Sequence, residues 1–133
     1  MNKDKKVHGM ACLVINFKRQ LLILKRSPDK KLFPNKWAPV AAGPFFEKPE
    51  MLEIAKRELV DELGVNGKII KEGEVIKEKT GGMDWLIYPF LAQIGTDVIT
   101  LNEEHVDYKW IDLKELKNYE TTPGLRKMIK DLL

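Results

Sequence analysis

The chain has 133 residues, 44% of them hydrophobic and 32% charged, with a formal net charge of +3 at pH 7. This mix is ordinary for a globular protein and predicts one domain over 1–133, not a collagen-like, low-complexity or disordered chain. The small excess of positive charge does not indicate nucleic acid. No apolar segment reaches the roughly 20 residues of a membrane-spanning helix, so we expect a cytoplasmic protein that binds neither membranes nor nucleic acid.

The first third of the chain predicts three strands. Two apolar segments that flank a Lys-Arg-Gln turn form a hairpin, a polar loop with two prolines follows, and a short apolar segment ends at Gly43 and Pro44. These segments are strand 7–17, strand 21–26, loop 27–36 and strand 37–42. Cys12, the only cysteine, lies among apolar neighbours, which predicts a buried thiol and excludes an intrachain disulfide.

The apolar period then changes from that of a strand to that of a helix, which predicts a helix over 49–63. Pro49 suits the first turn, where a missing N–H costs nothing, and Gly64 suits the left-handed position after the last turn. The apolar side of this helix consists of Leu52, Ala55, Leu59 and Leu63. We expect this side to face a sheet.

The rest of the chain predicts further strands and two short helices. Pro89 lies within one of the strands and indicates a bulge or an edge there. In order, the segments are strand 68–79, turn 80–84, its antiparallel partner 85–94, strand 108–111, a short helix capped by Asp112 and Glu115, and a helix from Thr122 to the C-terminus. Strands and hairpins interleaved with helices predict an α/β fold with a mixed β-sheet covered by helices.

Three carboxylates lie near the end of the central helix, where Glu58, Asp61 and Glu62 fall within an arc of about 100°. They repel one another and lie at the negative end of the helix dipole, so the arrangement costs stability. A solvated acidic face is one interpretation. The other is a metal site, because the apolar side borders the arc and clustered oxygen ligands suit Mg²⁺ or Mn²⁺ together with phosphates.

The stretch 43–65 resembles the Nudix box, the signature of the Nudix (MutT-related) pyrophosphohydrolases. That box is Gly-x5-Glu-x7-Arg-Glu-U-x-Glu-Glu-x-Gly-U, in which U is a bulky aliphatic residue. The matching positions, all in register, are Gly43, Arg57, Glu58, Leu59, Glu62, Gly64 and Val65. Two positions depart, since Pro49 replaces the first Glu of the box and Asp61 replaces another. Segments 21–26, 36–37 and 102–110 also resemble their family counterparts.

This resemblance implies an α/β/α sandwich with the mixed sheet between helices, and an enzyme that hydrolyses a nucleoside diphosphate linked to a group X. Water would attack one phosphorus of the pyrophosphate, and the small size of the chain favours a nucleoside triphosphate as substrate. Glu58 and Glu62 would ligate Mg²⁺ (or Mn²⁺), with Asp61 coordinating directly or through water. By the same analogy, the carbonyl of Ala42 would complete the shell.

The family pattern also assigns roles in catalysis and substrate binding. Glu58, Glu62 and Arg57 are expected to be catalytic, and Glu103 or Glu104 is expected to supply a general base from the late loop. The residues expected to contact substrate are Arg26, Lys36, Trp37, Gly43 and Glu103. Because Pro49 removes the usual partner of the box arginine, the sequence leaves Asp61 and Glu47 as candidates for that pairing.

Structural interpretations compete with several of these roles. The pair Glu103–Glu104 also fits an exposed loop, Arg26 a surface ion pair and Trp37 the core. His8 and His105 lack the spacing of metal ligands, which predicts structural or exposed side chains.

An alternative function is a Nudix-like module that binds a nucleotide or a partner without turnover, for which Pro49 and Asp61 are the only evidence in the sequence. In either case we expect a small nucleotide as the ligand. The sequence leaves a homodimer open. Of Phe45 and Phe46, which are adjacent in an extended segment, one should be exposed.

Overall fold

The computed structural model describes residues 5–133. Within this range the strands are β1 (Lys5–Ile15), β2 (Leu21–Arg26), β3 (Trp37–Ala38), β4 (Val40–Phe45), β5 (Lys68–Glu72), β6 (Ile76–Thr80), β7 (Met83–Gln93) and β8 (His105–Ile111). The helices are α1 (Met51–Leu63), a 3-10 helix (Leu113–Asn118) and α2 (Leu125–Leu132). None of these helices in 5–133 is both long and apolar enough to cross a membrane.

These strands form one mixed sheet that is organised around β1. β1 runs parallel to β7 over its full length, from Lys5 opposite Met83 to Ile15 opposite Gln93. Its other edge pairs antiparallel with β4 and, where Ile15 meets Leu21, with β2. β3 and β8 extend the sheet beyond β2, while β5 and β6 pair with β7. The predicted mixed sheet is confirmed.

Alternation of side chains along β1 divides the core into two layers. Its even-numbered residues from Met10 to Val14 face α1, and its odd-numbered residues from Ala11 to Ile15 face α2. The buried apolar residues of α1 are Met51, Ile54, Ala55, Leu59 and Leu63, and those of α2 are Leu125, Met128 and Leu132. The sheet therefore lies between helices, as the α/β/α expectation requires. Cys12 is buried, as predicted, and burial raises the pKa of its thiol.

The third predicted strand does not end where the sequence suggested. Gly43 and Pro44 lie inside β4, which continues to Phe45. Pairing with β1 shifts register between His8 and Met10, opposite this part of β4. A proline is tolerated where the ladder is irregular because no N–H is required there. Phe46 is the exposed member of the adjacent aromatic pair, at 65%, whereas Phe45 packs against the core.

Helix α1 begins at Met51 with Glu50 as its N-cap, so Pro49 precedes the helix and does not occupy its first turn. Gly64 has the predicted left-handed conformation, with φ of 71°, and its N–H donates to the carbonyl of Val60. Leu52 was wrongly assigned to the apolar side, since it is 37% exposed. Met51 and Ile54 are buried instead because the sheet contacts a sector of the helix rotated towards them.

The predicted strand over 68–79 is two strands, β5 and β6, with a break between them. Pro89 of β7 lies opposite this break, where its carbonyl accepts a hydrogen bond of 2.9 Å from the N–H of Gly73. The partner strand is therefore interrupted at the residue that cannot donate to it, which agrees with the predicted irregularity. β6 and β7 then form a continuous antiparallel ladder around a Gly-Gly turn.

The C-terminal elements begin at different residues from those predicted. β8 starts at His105, before the predicted start at 108. The short helix is of the 3-10 type, and the backbone N–H of Asp112 donates to the Glu115 carboxylate at 2.9 Å. α2 starts at Leu125, after Gly124, and not at Thr122. Its apolar residues Leu125, Met128, Ile129 and Leu132 pack together in the core layer on this side of the sheet.

Candidate active site

A cavity of about 500 Å³ opens beside β4 and α1. It is bounded by residues 41–45 of β4, by one flank of α1, by the ladder of β6 and β7, and by the N-terminal end of α2. This volume is within the usual range for a small-molecule site. Of the residues predicted from the sequence, those lining it are Arg26, Ala42, Gly43, Arg57, Glu58 and Glu104.

Charged side chains concentrate at the end of the cavity near α1. Arg26, Lys30 and Arg57 contribute positive charge, and Glu58 and Glu104 contribute carboxylates. The guanidinium of Arg26 is fixed by a hydrogen bond of 3.1 Å from its Nε to the carbonyl of Leu32. Burial lowers the pKa of Arg26, although Glu104 opposes the shift.

Glu62 is the most deeply buried acid at this end, with 1% of its surface exposed. Its Oε2 atom has no hydrogen-bond partner within the described part of the chain. Burial raises the pKa of Glu62 to about 9, and the charges of Glu104 and Glu58 add to the shift, while the Ala41 backbone partly offsets it. In the metal-free protein this carboxyl is therefore protonated at neutral pH.

His105 lies beside Glu62, with Nδ1 at 3.6 Å from Oε1. That distance alone suits an ion pair, but burial lowers the pKa of His105 to about 4, with the nearby cations Arg26 and Lys30 assisting and Glu104 opposing. Because the Glu62 carboxyl and the His105 imidazole are both buried and neutral, we interpret their contact as packing of two polar side chains and not as an ion pair. His105 is thus structural, one of the two roles predicted for it.

Glu58 lines the cavity and interacts with Glu62, and its side chain is 16% exposed. Burial raises its pKa, and the charge of Asp61 adds to the shift, whereas Arg57 lowers it. An Nη atom of Arg57 approaches Oε1 of Glu58 to 4.0 Å. Among the described residues, the carboxylate that Arg57 approaches is therefore Glu58, and the expected pairing with Asp61 or Glu47 is not found.

Glu104 brings a second carboxylate to the cavity from the loop before β8. It accepts a hydrogen bond of 2.8 Å from Nζ of Lys30, and its backbone N–H donates to Oδ1 of Asn102 at 3.0 Å. Partial burial raises its pKa, but the hydrogen bond and charge of Lys30 outweigh burial, so the net shift is downward. Glu104 is consequently ionised at neutral pH. Glu103 is exposed and does not line the cavity.

Three other predicted residues lie away from the cavity. The side chain of Asp61 is exposed, and its backbone carbonyl accepts a hydrogen bond of 3.2 Å from Nδ2 of Asn102. Lys36 pairs with Glu120, on the surface. Trp37, at 8% exposure, packs edge-on against Tyr119 in the α2 layer. Across 5–133, no three acidic, histidine or cysteine side chains already surround a single point.

Sequence reasoning missed Lys30, Glu78 and Trp85, all of which line the cavity. Lys30 is one of several lysines in a polar loop, so nothing local distinguishes it. Glu78 and Trp85 belong to strands whose alternation predicts which face each residue occupies. The alternation could have placed Glu78 and Trp85 on the same face of the sheet. It could not have predicted that α2 and β4 pack around that face to form a cavity.

The comparison with known families decides what this fold is. The family model described as "NUDIX domain" matches residues 5–132. The chain belongs to the Nudix family of pyrophosphohydrolases. The Nudix box at 43–65 thus supplies the end of β4, helix α1 and, at the charged end of the cavity, Glu58.

Curated relatives resemble this Nudix chain along most of its length. The nucleoside triphosphatase NudI of Klebsiella pneumoniae subsp. pneumoniae is 29% identical over 129 residues, which covers 88% of this chain and 90% of the relative. NudI of Escherichia coli O139:H28 is 26% identical over 133 residues, with 91% and 93% covered.

Solved structures share the fold at lower sequence identity. A MutT protein from Methanosarcina mazei Go1 superposes with a TM-score of 0.83 at 20% identity, covering 98% of this chain and 94% of its own. The dihydroneopterin triphosphate pyrophosphohydrolase of E. coli gives 0.77 at 18% identity, with 97% and 96% covered. The Nudix domain of Shewanella oneidensis NrtR, complexed with ADP ribose, gives 0.77 at 14% identity, with 98% and 86% covered.

Proposed function

We propose that this protein hydrolyses a pyrophosphate bond of a nucleoside triphosphate by attack of water at phosphorus, with Mg²⁺ or Mn²⁺ as its cofactor. The observation that supports this most strongly is the buried Glu62 carboxyl, which has an unpartnered oxygen and interacts with Glu58 in the wall of a cavity with three cationic side chains. A buried carboxyl oxygen without a hydrogen-bond donor is destabilising, so its retention calls for a ligand that satisfies that oxygen.

A divalent cation fits these residues. Glu62 has an oxygen without a donor, Glu58 interacts with Glu62 at the cavity wall, and the carbonyl-bearing residue Ala42 lines the same wall. Hard oxygen donors of this kind suit Mg²⁺ and Mn²⁺. The bound cation would neutralise phosphate charge and acidify a water molecule. Asp61 faces solvent, so we place it as a contributor through water at most.

The remaining side chains of the charged end would act on the substrate directly. Arg26, Lys30 and Arg57 would neutralise the triphosphate, and the hydrogen bond from Arg26 to Leu32 holds one of these cations in place. Glu104 is ionised and reaches the cavity, so it is the better of the two loop carboxylates to accept a proton from the attacking water. Glu103, being exposed, is left without this role.

Two further facts favour a nucleoside triphosphate as the substrate. The NudI relatives are named nucleoside triphosphatases, and they match this chain over about nine-tenths of its length. Three cationic side chains at one end of the cavity also suit a group with several negative charges. Reaction at the pyrophosphate would leave a nucleoside monophosphate and a phosphate-bearing product.

The test is a panel of nucleoside triphosphates incubated with the protein, with chromatography of the products. We expect a monophosphate to form with Mg²⁺ or Mn²⁺ and not with EDTA. Glu62→Gln should reduce kcat by about 10³-fold or more, while Glu53→Gln, an exposed carboxylate on the same helix, should leave it within twofold.

The same panel separates turnover from binding alone. A module that only binds would show ligand-dependent thermal stabilisation with no product from any nucleotide at any metal concentration. Hydrolysis that continues unchanged in EDTA, or in the Glu62→Gln protein, would contradict the proposed metal role. Thermal melting of both variants establishes that they are folded.

A further inference from the structure

The end of the cavity away from α1 differs from the charged end. It is formed by the ladder of β6 and β7, on which three facing pairs line the cavity. These pairs are Ile76 with Ile87, Glu78 with Trp85, and Thr80 with Met83. Because paired residues of a ladder share one face, Glu78 and Trp85 lie side by side on the cavity floor. The charged chemistry of the opposite end uses neither residue.

Trp85 lies against backbone that carries no side chain. A Cβ on Gly9 would approach Cε3 and Cζ3 of the Trp85 ring to 3.0 Å, and one on Gly43 would approach Cζ3 to 3.2 Å. A side chain at either glycine would therefore crowd the indole. Its Nε1 donates to the carbonyl of Thr80 at 3.3 Å, which fixes the ring orientation. This gives the cavity an oriented aromatic floor next to the first glycine of the Nudix box.

Glu78 is the single acidic side chain on this ladder face in the described structure. It is half-buried, and none of the hydrogen bonds found within 5–133 includes its carboxyl group. Burial raises its pKa, with Lys127 opposing the shift. One oxygen lies near the start of α2, at 3.2 Å from the position of a Cβ on Gly124. The carboxyl thus points to the cavity rim with acceptor capacity that protein donors do not use.

We propose that Trp85 and Glu78 form the nucleobase site of this cavity, in which the indole stacks on the base and Glu78 selects bases that offer adjacent N–H donors, guanine foremost. The inference rests on the proposed hydrolysis of a nucleoside triphosphate. An ionised carboxylate only accepts hydrogen bonds. Guanine presents an imino and an amino donor side by side, cytosine and adenine present an amino donor beside an acceptor, and uracil places its N–H between two carbonyls.

Kinetics on four nucleotides test this assignment. We would measure kcat/KM with Mg²⁺ for GTP, CTP, ATP and UTP in the wild type, in Glu78→Gln, and in Glu72→Gln, an exposed carboxylate of the adjacent strand β5. The wild type and the Glu72 control should prefer GTP over UTP by about tenfold or more. Glu78→Gln should reduce this ratio below about threefold, mainly through KM, because the contact is kept in the ground state.

A second variant separates stacking from selection. Trp85→Leu should raise KM by roughly tenfold for all four nucleotides without changing their order. If Glu78 only stabilises the start of α2, its substitution will lower the melting temperature and leave the order of nucleotides unchanged, which overturns the proposal. A wild-type preference for UTP overturns it as well.

Binding of nucleoside monophosphates tests the base site independently of hydrolysis, because GMP and UMP contain no pyrophosphate bond. Calorimetric titration should show that the wild type binds GMP about tenfold more tightly than UMP. The Glu78→Gln variant should bind the two nucleotides with equal affinity. That result supports the base site even if no triphosphate is hydrolysed. Equal affinities in the wild type overturn the base site while leaving pyrophosphate hydrolysis standing.

Discussion

The two ends of the cavity use charge in opposite ways. At the charged end, carboxylates and cations from β2, α1 and the loop before β8 lie close enough to shift one another's pKa values. At the opposite end, formed by β6 and β7, the half-buried carboxyl of Glu78 lies beside the indole of Trp85 in a largely apolar ladder. A site for phosphate and metal needs many charges that become balanced when the ligand arrives, whereas a selective site needs one polar group whose mismatch is costly.

The largest expected effect concerns Glu104, the proposed general base at the charged end. Glu104→Gln should reduce kcat by about 10²- to 10⁴-fold with little change in KM. Glu103→Gln is the matched control, since it is the adjacent carboxylate, exposed and outside the cavity. Steady-state kinetics decide between them. Equal losses in the two variants would contradict the assignment of the base to Glu104.

A large effect on stability is expected where the two ends meet. Gly43 has φ of 127°, and a Cβ there would lie 2.9 Å from the carbonyl oxygen of His8. Gly43→Ala should lower the free energy of unfolding by about 2–4 kcal/mol, from backbone strain and steric overlap together. Gly82→Ala, with φ of 73° and no atom within 4 Å of the new Cβ, isolates the strain and should cost about 1 kcal/mol. Urea denaturation measures the free energy of unfolding of both variants. Equal losses would mean that the structure relaxes to relieve the steric overlap at position 43.

The buried Glu62 predicts a conflict between stability and function. Its pKa of about 9 in the fold lies above the ordinary value of 4.5, so the folded protein loses stability as pH rises from 4.5 towards 9. Glu62→Gln should therefore be more stable than the wild type in EDTA by about 1–3 kcal/mol at pH 8, and equal to it at pH 4. Melting temperatures across this range would show the gap widening with pH. Parallel profiles would mean that Glu62 is not desolvated.

The smallest expected effect compares two cations predicted from the sequence. Arg26 lines the cavity, whereas Lys36 pairs with Glu120 on the surface. Arg26→Ala should raise KM for the triphosphate by about tenfold, through loss of a charge-assisted contact. Lys36→Ala should change it by less than twofold, because exposed ion pairs contribute little. A larger effect at Lys36 would mean that the substrate also contacts residues outside the cavity.

The carboxylates of α1 show how much of the charged end was predictable. Their spacing determines that Glu58 and Glu62 share a face, and the resemblance to the Nudix box predicts that this face carries the site. Burial was not predictable from spacing, because the orientation of α1 on the sheet places Glu62 in the core and leaves Asp61 in solvent. Lys36 and Trp37 were expected to contact substrate, but the pairing of β3 with β2 places Trp37 in the core, and Lys36 pairs with Glu120 on the surface.

The sequence by itself determined the period of each helix and strand, the turn glycines and the acidic face of α1, because these depend on residues within one or two turns of chain. The tertiary structure decided which side chains share the cavity. Lys30 meets Glu104 across 74 positions, and Trp85 lies on Gly9 and Gly43 through two neighbouring strands. Such contacts follow from strand order and register, which local propensities leave undetermined.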